Sequence, residues 1–374
     1  MGPRHGDVPP LPRTRVTRRR ALTLGLAAAA GAALAGCARE DGTANGRTVL
    51  EFPSWQAGDS TFSLWWKELI AAFRKQRPDI DVDFYGLPFD SYVDQLTIRF
   101  AANDRPDILH LPARNAAEFA GRGWLAPLED RLRGTDVEST WTPLQEEMAL
   151  DGKDYGVLLL GYGYCLYYNE ELLRSAGARV PTTVDEMVTA AEAVTGKGVY
   201  GFGATTAPNP DNYTELAAFV VGAGGALSRD DGTFSADSDA AVEGMEQYRR
   251  ALAHAPRGIQ SQQRNELFLT GKIAMLLDGP FFLNELADAS ARVRPALSVA
   301  RAPFSRVPGG VSNSIHIPAG LDARRTQAVW EFIALATTPA WQRRYVELTV
   351  NPAPRRGSLT ARAVARTPEL ELFQ

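Results

Sequence analysis

From Thr48 onward, short apolar runs with strand character alternate with segments whose apolar residues recur every three or four positions, and the connections are short. A chain with this rhythm folds as strands in sheets covered on both faces by helices, the α/β class. Residues 48–52 read as a strand, and Phe62, Trp65, Leu69, Ile70 and Phe73 then share one helical face up to Gln76. Asp79-Ile80-Asp81-Val82-Asp83-Phe84 alternates strictly, which predicts a half-buried strand. A helix over 91–102 and a short strand over 108–111 follow, and then a helix over 115–122 that stops at Gly123, a residue suited to the left-handed position past a helix end. Thr183-Val184-Asp185-Glu186 has the form of a capping box and opens a helix to about Val194.

The second half continues in the same way. Ala241, Val242, Met245, Tyr248 and Leu252 mark an amphipathic helix, and a further helix ends over 266–270, before Gly271. Residues 273–277 read as a buried strand, Asp278-Gly279-Pro280 as a turn into a helix near Phe281, and Val329, Phe332, Ile333 and Leu335 as a late helix. There is no internal repeat and no low-complexity tract after residue 47.

At 374 residues the chain is long enough for two lobes, since domains run to roughly 150 residues. An apolar share of 45% with 22% charged residues describes a chain that builds cores. The net charge of −4 gives no reason to expect nucleic acid. That average hides a division. Residues 1–36 carry six arginines and one acid, which leaves 34 bases against 43 acids, a net −9, for residues 37–374.

After the arginines, residues 21–35 form an apolar run too short for a spanning helix, which needs about 20 apolar residues, and right for a signal-peptide core. Leu34-Ala35-Gly36-Cys37 matches the lipobox of bacterial lipoproteins, in which the cysteine becomes the acylated first residue. Thr17-Arg18-Arg19-Arg20-Ala21-Leu22 resembles a twin-arginine export signal, with Ala21 in the usual place of a bulky residue. The reading is a signal peptide over 1–36, lipid attachment at Cys37 and a flexible tether over 37–47. Once Cys37 is acylated, Cys165 is left without an intramolecular disulfide partner, and its apolar setting predicts a buried thiol.

Catalytic constellations are sparse. His110, His254 and His316 show no i, i+4 pair and no neighbouring cysteine, so zinc and Cys/His chemistry lack parts. No Gly-x-Ser-x-Gly elbow is present. Gly271-Lys272 imitates the end of a phosphate-binding loop, but the required earlier glycine is Glu266 and the next residue is Ile273. The aspartates 79, 81 and 83 imitate a calcium loop that would need Gly at Phe84 and Glu at Asp90, and they read instead as a solvated strand face. No cofactor or metal is expected. Spacing along the chain neither supplies nor removes a carboxylate pair about 5 to 10 Å apart in space, the arrangement that glycoside hydrolysis needs.

A series of segments occurs in a telling order: residues 65–78, Pro106-Asp107-Ile108, Gly123-Trp124-Leu125-Ala126-Pro127-Leu128, Asp151-Gly152-Lys153-Asp154-Tyr155-Gly156, Tyr167-Tyr168-Asn169 with Gly177 and Pro181-Thr182-Thr183, and residues 268–280. Behind a lipobox, this set resembles the extracellular solute-binding proteins of carbohydrate ABC transporters, the group similar to maltose-binding protein. The resemblance implies a two-lobed periplasmic-binding-protein-like fold with three hinge crossings and a ligand cleft between the lobes. The expected lobes are 48–161 plus about 311–341, and 162–310 plus about 342–374. It further implies a monomeric receptor, not an enzyme, anchored outside the cell membrane. Such a receptor holds a mono- or oligosaccharide, closes around it, and delivers it to the transmembrane permease subunits of an importer driven by a separate ATPase.

A sugar needs flat rings for its C–H faces and planar polar groups for its hydroxyls. The positions matching the family's cleft are Trp55 and Gln56 after the first strand, His110 at the end of the 108–111 strand, Tyr162 within Gly161-Tyr162-Gly163, and Phe281 after Gly279-Pro280. Asn209, Asn212 and Tyr213 in the Pro208–Tyr213 stretch, Asn313 within Ser312-Asn313-Ser314, and Arg355 complete the set. Relatives usually continue for several helices beyond the segment matching Arg355, so a cleft aromatic from that tail is expected to be missing. Two other readings stay open at this point: a receptor for a different solute, such as a phosphodiester or a polyamine, and a surface enzyme that degrades polysaccharide.

Overall fold

The computed structural model describes residues 43–44, 46–208, 211–229, 233–306 and 309–373, apart from the side chains of 43, 44, 162, 211 and 309–311. The signal segment and Cys37 lie outside these residues. The chain divides into two compact units, residues 1–48 and 49–374. In the first, Thr43 and Ala44 pair antiparallel with Thr48 and Arg47. The end of the segment read as a tether therefore carries a short hairpin, because its backbone groups find partners within the segment.

In the second unit two three-stranded sheets organise the chain. Gly309–His316 lies between Leu109–Pro112 and Val157–Gly163, antiparallel to both. Cys165–Asn169 lies between Met275–Asp278 and Leu297–Arg301, again antiparallel to both. The chain leaves the first sheet for the second at Tyr164 and returns between Arg301 and Gly309. The helix Pro339–Thr349 sets its Tyr345 edge-on against Trp65 at 5.2 Å.

The helix Phe62–Gln76 has the bounds that its apolar spacing predicts, with Trp65, Trp66, Leu69 and Phe73 buried on one face. Arg74 and Lys75 in its last turn complement the helix dipole. That face packs with Leu50, Phe52, Phe332 and Ile333 in the largest core cluster, where Phe52 meets Trp66 edge-on at 4.9 Å. Each such side chain contributes about 1.5–3 kcal/mol by leaving water. A second cluster gathers Met187, Phe202, Phe219 and Met275, and a third gathers Tyr92, Leu96, Phe100, Phe119 and Leu125.

Local signals translate into local structure. Gly123 sits at φ +69°, beyond the helix Ala116–Gly121. Thr183 caps Val184–Val194 by accepting from Glu186 N, but the Glu186 carboxylate reaches back to Thr182 rather than to the cap residue. The capping box is thus shifted by one residue on its return arm. Asp81, on the strand Ile80–Gly86, pairs with Arg74, and Asp79, just before it, pairs with Arg77 and Arg324. Among the described residues no three His, Cys, Asp or Glu side chains are grouped to hold a metal ion, and no helix is long and apolar enough to cross a membrane. Cys165 is fully buried, and burial pushes its thiol up to about 12.

Candidate functional site

A cavity of about 570 Å³, in the usual range for a small-molecule site, is lined by residues from both sheets and their helices. One wall begins where the first strand ends. Ser54 caps the short 3-10 helix Trp55–Gly58, and this turn carries Trp55 and Gln56 into the cavity lining. Asp59 and Phe62 at the start of Phe62–Gln76, Phe89 and Asp90 at the start of Phe89–Ala101, and Ser312 and Asn313 on the central strand of the first sheet complete this wall. The opposite wall holds Thr205, Thr214 and Glu215, then Arg264 and Asn265 of the helix Ser261–Leu269, and Asp278, Phe281 and Glu285 around the Gly279-Pro280 turn.

Trp55 and His110 form a stacked pair, with centroids 4.0 Å apart and planes 10° from parallel. Tyr92 and Phe89 meet the indole edge-on at 4.9 and 5.7 Å, so neighbouring rings fix its orientation. His110 itself is fully buried and does not line the cavity. The reason is visible in its bonds: one ring nitrogen lies 2.9 Å from Ser54 Oγ and the other 3.1 Å from Asn313 Oδ1. Burial lowers its pKa to about 3, so the ring is neutral. Asn313 Oδ1 can only accept, so Nε2–H donates to it; Nδ1 of the neutral ring is then the acceptor, and the Ser54 hydroxyl, whose oxygen also accepts from Gln56 N, donates to it. The Asn313 amide NH₂ remains for the cavity. Gln56 is held in the same way, its Oε1 accepting from Trp66 Nε1 at 2.8 Å.

On the far wall Arg264 is buried and fully engaged. Its Nη1 donates to Glu215 at 2.9 Å, its Nη2 to Asp278, and its Nε and Nη2 to Asn265 Oδ1 at 3.1 and 2.9 Å. Glu215 also accepts from Thr205 N and from Tyr248 OH, each at 3.1 Å. Asn265 Nδ2 donates to Glu285 at 3.1 Å. Burial, with the Asp278 carboxylate beside it, pushes the Glu285 carboxyl up to about 7.

Of the residues named from sequence, Trp55, Gln56, Phe281 and Asn313 line one cavity. Tyr162 lies on the strand Val157–Gly163, and its side chain is outside the described residues. A Cβ on the neighbouring Gly161 would sit 2.9 Å from Leu144 and Leu158, so that glycine answers to core packing rather than to ligand approach. Asn209 also lies outside the described residues. Asn212 donates to Ala207 O at 2.9 Å, and Tyr213 is 58% exposed; neither lines the cavity, since the helix Asp211–Gly222 turns Thr214 and Glu215 inward instead. Arg355 is remote from the cavity, bonded to Asp136 at 2.9 Å and set over the Trp141 ring at 5.5 Å.

The Glu215–Arg264–Asp278 network has almost no signature in the sequence. Its members are far apart along the chain, Arg264 and Glu215 by 49 positions, and each is an ordinary polar residue in its own helix or turn. Asp278 alone carries a signal, because it immediately precedes the Gly279-Pro280-Phe281 turn.

A cavity walled from two sheet-and-helix layers, with rings and planar amides facing inward, defines a solute-binding receptor of the two-lobed kind. The family model for bacterial extracellular solute-binding proteins matches residues 59–343, and the chain belongs to that family. Over 298 residues it is 24% identical to a binding protein of Brucella abortus, covering 76% of this chain and 71% of that one. A lipoprotein encoded in the oleD 5' region of Streptomyces antibioticus is 33% identical over 201 residues, half of this chain and 41% of its own length. Among solved structures, the GacH receptor of Streptomyces glaucescens, described unliganded and with acarbose, superposes with a TM-score of 0.71 at 23% identity, covering 87% of this chain and 84% of that one.

Proposed function

We propose that this protein is the lipid-anchored receptor of an ABC importer, which captures a mono- or oligosaccharide outside the cell and presents it to a membrane permease. The carrying observation is the convergence in one cavity of the Trp55 and Phe281 rings with the amides of Gln56, Asn313 and Asn265. Rings stack on the C–H faces of a sugar, and amides pair with hydroxyls. Polar and aromatic groups on both walls are what ligand-driven closure requires, because a ligand favours the closed state only by binding it more tightly than the open one. The relatedness to a receptor described with acarbose supports a saccharide as ligand. An anionic solute is disfavoured, because Arg264 is already neutralised by two carboxylates.

A thermal-shift screen of the purified protein against mono- and oligosaccharides tests the reading. A sugar at about 100 times its Kd should add about 2.7 kcal/mol of stability. Stabilisation by a charged non-sugar alone would sink it. So would glycan cleavage that disappears in a Glu285→Gln variant, since that outcome makes the cavity an active site. The anchor is tested separately: Cys37→Ala should move the protein from the membrane to the soluble fraction.

A further inference from the structure

We infer that the saccharide taken by this cavity carries a protonated amine, an inference that rests on the saccharide reading above. The cavity's charge is one-sided. Glu215, Asp278 and Glu285 line the far wall against a single cation, Arg264, and neither Lys nor His is among the described lining residues. On the near wall Asp59 and Asp90 add two more carboxylates, but each sits at a helix start, where the amide dipole offsets part of its charge. Asp59 Oδ1, for instance, accepts from Thr61 N at 2.7 Å and Phe62 N at 2.8 Å.

On the far wall backbone amides meet Glu215, from Thr205, and Asp278, from Gly279, but among the described residues none meets Glu285. Every nitrogen of the Arg264 guanidinium is bonded to Glu215, Asp278 or Asn265, so four of its five N–H donors are committed before any anion arrives. Its one positive charge is shared by two carboxylates, and among the described residues Glu285 is hydrogen-bonded by the neutral amide of Asn265. Burial, and then the facing Asp278 carboxylate with Asp59 also near, push the Glu285 carboxyl up to about 7 despite the Arg264 charge. A ligand ammonium placed there would satisfy Glu285 as a carboxylate. A neutral hydroxyl can donate to it but leaves its charge uncompensated. On the same wall Thr205, 1% exposed, keeps its hydroxyl oxygen without a hydrogen-bond partner and can accept from an N–H of the ligand.

Calorimetry on the full chain with matched ligands tests this: the glucosamine tetramer, its N-acetylated counterpart, and maltotetraose, with the corresponding monomers and spermidine alongside. The expected result is at least about tenfold tighter binding of the amine-bearing sugar than of its N-acetylated or glucose counterpart. That preference should shrink with rising salt and collapse towards unity in Glu285→Gln. Salt dependence on the unmodified protein keeps the test decisive if the variant does not fold. Equal or tighter binding of the neutral sugars overturns the amine inference and leaves the saccharide reading standing. Binding of spermidine with no saccharide overturns both.

Discussion

The indole of Trp55 lies flat on the imidazole of His110, 4.0 Å from centroid to centroid. Trp55 follows the end of one strand and His110 lies within another, 55 positions away. Trp55 lines the cavity, and His110 holds it there from beneath. One indole face is covered by the imidazole, so a sugar that stacks on Trp55 must use the opposite face.

Removing the platform should therefore weaken ligand binding directly. Trp55→Ala is expected to bind its sugar at least about tenfold more weakly, while Trp55→Phe, which keeps a smaller ring, should lose less. Calorimetric affinities of the two variants check this; unchanged affinity in Trp55→Ala would remove the indole from the site.

His110 should act through Trp55 and through pH. His110→Ala leaves the Ser54 hydroxyl and Asn313 Oδ1 without their buried partner, a loss of about 1–3 kcal/mol for each group. Burial also lowers the pKa of His316, to about 4, against about 3 for His110. With ordinary values near 6.5 in the unfolded chain, that chain binds more protons than the folded one below this pH. Stability from both histidines is thus complete above about pH 6.5 and declines as pH falls towards 4, by up to about 1.4 kcal/mol per pH unit for each. Denaturant titrations between pH 8 and 4, on the unmodified protein and His110→Ala, should show a shallower decline in the variant.

Arg264→Met should be among the most damaging single changes on the far wall. It strands Glu215 and Asp278, both buried, without their shared cation, which costs about 3–5 kcal/mol. The double change Arg264→Met with Glu215→Gln should recover part of that loss. Urea melts of the pair provide the comparison, and additive losses would show that the two groups are not coupled.

Arg355→Ala is expected to leave sugar affinity unaltered. Its guanidinium pairs with the exposed Asp136 and covers the Trp141 ring, so the loss is a stability change of about 1 kcal/mol. A fall in affinity without a fall in Tm would return this residue to the site.

Much of this protein is decided by local chemistry and can be read along the chain. The bounds of Phe62–Gln76, the left-handed Gly123 and the Thr183 cap each depend on residues within a few positions, and the segment order carries the family. Residues at strand ends and turns, Trp55, Gln56 and Phe281, are legible for the same reason, because a strand end points where its sheet edge points. Local chemistry does not decide which polar groups meet. By position along the chain His110 is a ligand contact, and only packing places Trp55 over it and Asn313 beside it. The acid excess of the far wall likewise exists only because three helices and a strand converge, leaving Glu215, Asp278 and Glu285 around a single Arg264. Periodicity along a chain fixes which face of an element is buried; the charge of a cavity is a sum over elements, and only the tertiary structure brings its terms together.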